Sequence, residues 1–171
     1  KPLTRRLSIV ILILVISVLL AADIGVDNWV ENEFNHAMKA KIGLLQTLVR
    51  QDIDGINFHF SGEYLPEFKG ADSPEYFQLW HSNKAFKKSA TLSLYKDNQL
   101  PLIAINLNEF VINDMTLPDG RSGRIVYSKF IPQMEEELVG ESRPVAPPMI
   151  IAYATSVELL NFTLWFIDVA F

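Results

Sequence analysis

Residues 7 to 22, LSIVILILVISVLLAA, form an unbroken apolar run of sixteen residues with two serines and no charge. A helix rising ~1.5 Å per residue carries such a run across roughly 24 Å of a hydrocarbon core about 30 Å thick. Ile24, Gly25 and Val26 can extend it, and Trp29 falls where an aromatic anchor belongs. Lys1, Arg5 and Arg6 precede the run, whereas Asp23, Asp27, Glu31 and Glu33 follow it. Basic flanks stay on the cytoplasmic side, so the pattern predicts a cytoplasmic start over 1–6, a transmembrane helix over 7–27 and an extracytoplasmic domain over 28–155. A cleaved signal peptide needs small residues at −3 and −1 of the cut, but cuts after Ala22 or Ala21 place Leu20 or Leu19 at −3. A buried soluble helix would need a polar face to meet water, and this run has none.

Beyond the run the period changes twice. From Asp27 to about Arg50, Val30, Phe34, Ala37, Met38, Leu44, Leu45 and Leu48 recur at helical steps, and no proline separates them from the membrane segment. One long helix leaving the bilayer is expected. Gly55, Gly62, Pro66, Gly70 and Pro74 then break the pattern, with Ile56, Phe58 and Phe60 alternating as a short strand. Tyr76 to Trp80 and Ala85 to Ala90 read as a hairpin about Ser82-Asn83-Lys84, which Leu92 to Tyr95 extends or follows. A second hairpin runs from Asn108–Leu117 through Pro118-Asp119-Gly120 to Arg124–Ile131, where Ile125, Tyr127 and Lys129 alternate against Val126, Ser128 and Phe130. Residues 132–148, with four prolines and Glu135-Glu136-Glu137, read as a solvated loop or flap. Met149 to Tyr153 reads as a buried strand. Thr155 and Glu158 have capping-box spacing, predicting a C-terminal helix over 156–171 that runs into a second membrane span. The expected fold class is therefore α+β: an N-terminal transmembrane helix continuing into a long helix, then an antiparallel sheet of hairpins, with a PAS-like sheet as one form it could take.

Composition narrows the function classes. Hydrophobic residues make up 49 % and charged residues 20 % of the chain, which suits a packed domain. The formal charge is −5, and setting aside Lys1, Arg5 and Arg6 leaves −8 on the remainder. An acidic domain without a basic stripe is a poor nucleic-acid partner. There is no cysteine, which removes disulfides, thiolate zinc sites and cysteine nucleophiles together. Since the sequence starts at Lys1 and ends apolar, it is expected to be a fragment.

Candidate chemistry is sparse. His36, His59 and His81 show no metal-ligand spacing, and no nucleophile or phosphate-loop motif is present. Asp52, Asp54 and Glu63 match three positions of a calcium loop, but Ile56 and Asn57 occupy its fifth and sixth. No metal, cofactor or catalytic residue is expected. Asp119, Gly120, Arg121, Gly123 and Arg124 offer two guanidinium forks beside glycine amides, a setting that suits a carboxylate; an ordinary charged turn is the simpler reading of the same residues.

Glu75-Tyr76-Phe77-Gln78-Leu79-Trp80, then Ser89 and Leu92, then Leu117-Pro118-Asp119-Gly120-Arg121-Ser122-Gly123-Arg124 resemble the N-terminal region of bacterial sensor histidine kinases. The likeness is to the two-component sensor kinase N-terminal domain family, which includes quorum-sensing and tricarboxylate sensor kinases. It implies an extracytoplasmic sensing region in the bacterial inner membrane, with its bulk in the periplasm and a second membrane helix. It also implies a homodimer, and a cytoplasmic kinase core and response regulator outside this chain. For a sensing region, the candidate ligand-binding residues are Arg121, Arg124, Asp119, Tyr76 and Trp80. The alternative from another class is a membrane-anchored protein-interaction module that senses no small molecule.

Overall fold

The computed structural model describes residues 2–70, 72–134, 145–158 and 160–161. Two compact units divide the chain: Lys1–Asn35 with Leu159–Phe171, and His36–Glu158. Helix α1, Pro2–Thr47, is one uninterrupted element of 46 residues. Residues 5–22 are exposed throughout, and the helix contains a stretch long and apolar enough to cross a membrane. In the second unit the helix buries Met38, Ile42 and Leu45, with Val49 just beyond its end. Those steps of four, three and four trace a single stripe. Ile42 belongs to it, whereas Ala37 and Leu44, which the sequence pattern includes, are exposed.

After the helix come β1 (Val49–Gln51), β2 (Ile56–Phe58), β3 (Tyr76–His81), β4 (Lys84–Lys88), β5 (Phe110–Thr116), β6 (Ser122–Phe130), β7 (Gln133–Met134) and β8 (Met149–Ser156). The main sheet has the order β4-β3-β8-β6-β5 and is antiparallel throughout; a small sheet has the order β2-β1-β7. Strand β8 is the last strand among the described residues and central in the sheet, which explains its near-complete burial. Its register builds three successive cross-strand rows on one face: Tyr76·Ala154·Ile125, Gln78·Ala152·Tyr127 and Trp80·Ile150·Lys129. Side chains alternate along a strand, so Phe77·Tyr153·Val126 and Leu79·Ile151·Ser128 form rows on the opposite face.

Each face has its own cover. Leu92, Leu100, Ile105 and Leu117 join the first-face core. The segment bearing Leu100 is tied down by hydrogen bonds: the Leu100 amide donates to Gln78 Oε1 at 2.7 Å and the Tyr127 hydroxyl to Pro101 O at 2.6 Å. On the second face Phe68 packs edge-on to Phe77 and Tyr153, and Phe58 and Phe60 join Phe77. Helix α1 reaches this face: Lys41 Nζ lies 5.3 Å from the Phe68 ring centroid, and Lys39 Nζ lies 5.8 Å from that of Phe110.

Several expectations need correction. The first hairpin turns on two residues, Ser82 (φ 49°) and Asn83 (φ 61°), and Lys84 already pairs with His81. Positive φ at both central positions is the turn geometry that matches strand twist. Ala90–Leu94 is a 3-10 helix rather than more strand, because Thr91 Oγ1 donates to Glu75 O at 2.7 Å and pulls the chain off the sheet edge. Thr155 caps no helix. It pairs with Arg124 inside the sheet and donates its hydroxyl to Glu75 Oε1 at 3.2 Å, while Ser156 Oγ accepts the Glu158 amide at 3.1 Å. The acidic triplet Glu135-Glu136-Glu137 and residues 162–171 of the expected C-terminal helix, where it would run into a second membrane span, lie outside the described residues.

Candidate functional site

The Pro118–Arg121 turn is held by its own side chains. Gly120, at φ 89°, supplies the left-handed step, and its amide donates to Leu117 O at 2.8 Å. Asp119 Oδ1 accepts the Arg121 amide at 2.9 Å, and Oδ2 accepts Arg121 Nε, Arg121 Nη2 and the Tyr76 hydroxyl at 2.8, 2.6 and 2.9 Å. Arg121 Nη2 also donates to Pro74 O at 2.7 Å. Burial opposes ionisation of Asp119, but the Arg121 guanidinium and amide and the Tyr76 hydroxyl outweigh it and hold its carboxyl below the usual range. Arg121 is raised in turn, chiefly by its bonds to Asp119. Burial, then the neighbouring Tyr95 and Asp119 side chains, pushes the Tyr76 phenol well up. The guanidinium is thus already matched by an internal carboxylate.

The five residues implicated by the sequence do not converge. Asp119, Arg121 and Tyr76 meet. Arg124 does not join them: strand alternation sets it opposite Ile125 in facing, and its Nε donates across the strand pair to Asp114 Oδ1 at 2.9 Å. Trp80 sits two rows away from Tyr76 along β3.

Trp80 instead walls a cavity of about 170 Å³ that is also lined by Ser82, Asn83, Lys129, Pro148 and Ile150. The sheet register builds it, since Trp80, Ile150 and Lys129 stand side by side on adjacent strands. Trp80 and Ile150 are buried and Lys129 is half-buried, while Ser82, Asn83 and Pro148 form an exposed rim. Among the described residues no acid lines this cavity, and the Lys129 ammonium makes no hydrogen bond or ion pair. Lys129 was missing from the residues singled out in the sequence. Its signal was there: it shares the alternation of Ile125 and Tyr127, both core positions.

A third polar cluster joins α1 to the sheet. Lys41 Nζ bonds Glu67 and lies 3.8 Å from Glu75 Oε2, which also accepts the Tyr153 hydroxyl at 2.8 Å. Burial works against the Glu67 charge, but the Lys41 bond prevails and its pKa lies below the usual carboxylate value. Burial first, then Glu75, pushes the Tyr153 phenol far up. Asp52, at the first position of the incomplete calcium-loop pattern, accepts the amides of Asp54 and Gly55 in a local turn. Among the described residues no group of three or more His, Cys, Asp or Glu could hold a metal ion.

Comparison with protein-family models, with curated proteins and with solved structures returns no match for this chain.

Proposed function

We propose that this chain is the extracytoplasmic sensing region of a membrane-bound two-component sensor histidine kinase. In this reading it sits in the bacterial inner membrane with its bulk in the periplasm, works as a homodimer, and acts on a cytoplasmic kinase core outside the chain. The kinase core performs phosphoryl transfer to a response regulator; this region biases it. One observation carries the reading. Helix α1 carries both an exposed, membrane-length apolar run and the buried stripe Met38, Ile42 and Leu45 within one helical segment. A change in how the sheet holds that stripe therefore displaces the same helix that enters the membrane. The motifs behind the family resemblance fall on structured positions, Tyr76–Trp80 along β3 and Leu117–Arg124 about the β5–β6 turn. The main-sheet order, with the last strand between the first and fourth, is consistent with a PAS-like sheet.

The test is a chimera in which residues 1–171 replace the sensing region of a histidine kinase of measurable output. One to four alanines inserted after Asn35 should change autophosphorylation in membrane vesicles with helical phase, since each residue turns the helix by about 100°. Output that ignores both the insertions and deletion of residues 51–150 overturns the proposal.

A further inference from the structure

We infer that the Trp80–Lys129 cavity is a binding site for a compact organic acid bearing one negative charge, such as an aromatic monocarboxylate. Three observations converge on that class. The first is charge: Lys129 is the one ionisable group among the lining residues, and among the described residues it is unpaired. A half-buried ammonium with no acceptor is better matched by an anion than by a neutral molecule or a cation.

The second is size and surface. Trp80, Ile150 and Pro148 give the cavity an apolar wall, and its volume is about 170 Å³. An apolar cavity of about 150 Å³ accommodates benzene, so this one takes a single ring or a short branched chain with its charged group towards Lys129. A tricarboxylate fits poorly, because one ammonium cannot match three desolvated charges. The third is rigidity. Lys129 and Trp80 flank Ile150 in a fixed cross-strand row, and the Ser82-Asn83 turn closes the strand end beside them. Ser82 and Asn83 bring a hydroxyl and an amide to the rim, able to bond the second carboxylate oxygen.

The Asp119–Arg121 turn is the obvious competitor for an anion, and the geometry argues against it. Both forks of its carboxylate are occupied and Arg121 is already neutralised. An incoming acid would have to displace Asp119, whereas at Lys129 it displaces none of the described residues.

This inference deepens the sensor reading and depends on it only for the use made of binding. The experiment is isothermal titration of the 171-residue chain in lipid nanodiscs, in carboxylate-free buffer, with sodium benzoate as probe. Benzyl alcohol, citrate and inorganic phosphate are the comparison titrants. Benzoate should bind saturably and each comparison titrant at least tenfold more weakly. Lys129→Met should weaken benzoate binding about tenfold or more, as expected for loss of one charge-assisted contact. Asn83→Asp, which keeps a residue tolerant of positive φ while adding a like charge at the rim, should weaken it as well. Near-UV circular dichroism establishes that each variant is folded. No benzoate uptake by the folded chain, unchanged affinity in Lys129→Met, or phosphate binding as tight as benzoate overturns the site. Benzoate binding that Lys129→Met abolishes, with no effect on the chimera's kinase output, keeps the site and overturns the sensing role.

Discussion

Removing the Asp119 carboxylate should destabilise the sheet domain through one stranded hydroxyl more than through a lost ion pair. In Asp119→Ala the Tyr76 hydroxyl loses the acceptor it bonds at 2.9 Å, and Tyr76 is fully buried. An unsatisfied buried hydroxyl costs about 1–3 kcal/mol. Arg121 keeps its bond to Pro74 O and has 22 % of its side chain exposed, so its share falls on the surface-pair scale of about 0–1 kcal/mol. The Arg121 amide, which also loses its acceptor, adds about 1 kcal/mol. The expected total is about 2–5 kcal/mol, a fall in melting temperature of roughly 8–20 °C for a domain of ordinary size. Thermal unfolding of the chain in detergent micelles, followed by near-UV circular dichroism, measures it. The sharper test is the sign of Tyr76→Phe. In the wild-type background it should destabilise by about 1 kcal/mol, since it removes a made hydrogen bond. In the Asp119→Ala background it should be neutral or stabilising, because it removes a hydroxyl already stranded. The same sign and size in both backgrounds would refute the reasoning.

Acid should unfold the domain through the same group: Asp119's folded pKa lies below its unfolded value. Its contribution is therefore complete above the unfolded pKa of about 3.9 and is lost as pH falls through the folded value. Asp119→Asn should flatten the fall in melting temperature below about pH 4, as read from scans at stepped pH. At Gly123 the obstacle is steric: a Cβ would stand 2.5 Å from the Leu117 side chain and 2.9 Å from Thr155 O. Gly123→Ala should cost about 1–3 kcal/mol by overpacking, measured as a lower urea midpoint with unchanged slope.

Local signals in the sequence carried much of the fold, and long-range ones carried the rest. The apolar run, the Pro118-Asp119-Gly120 turn and the buried strand from Met149 are each written in a few neighbouring residues. The insertion of β8 between β3 and β6 is not, because strand order is decided by which distant faces pair. Competition for polar groups explains the local misreadings. Thr155 has capping-box spacing, but Glu75, eighty positions away, takes its hydroxyl. Leu92 and Leu94 alternate like strand residues, but Thr91 bonds back to Glu75 O and bends the chain into a 3-10 turn. Of the two readings open for Arg121-Ser122-Gly123-Arg124, an anion clamp and an ordinary charged turn, the geometry favours the turn, because strand alternation separates the arginines and Asp119 takes Arg121. Lys129 became visible as a site residue only once the register set it beside Ile150 and Trp80.

The positions of the two polar sites set a quantitative condition on the sensing proposal. The Trp80–Lys129 row lies on one face of the sheet, and Phe77, Tyr153 and the rings that meet α1 lie on the other. Strand β8 belongs to both, giving Ile150 to the cavity row and Tyr153 to the Glu75 cluster that Lys41 of α1 approaches. A ligand moves an equilibrium only by its differential affinity for the two arrangements. Carrying a population from 1:99 to 99:1 needs a preference of about 10⁴, or roughly 5.5 kcal/mol. One charge-assisted contact provides about 1.5–3 kcal/mol. A monoanion at Lys129 can therefore switch the domain only if its two arrangements already lie within about 2 kcal/mol of each other. Such a near balance is easier to hold at the polar, partly exposed Lys41–Glu67–Glu75 cluster than along the buried Met38, Ile42 and Leu45 stripe beside it. Exposed ion pairs exchange partners at a cost of about 0–1 kcal/mol, whereas re-packing a core of aromatic rings costs several times more. That polar cluster is thus the place where a small stimulus could be converted into movement of α1.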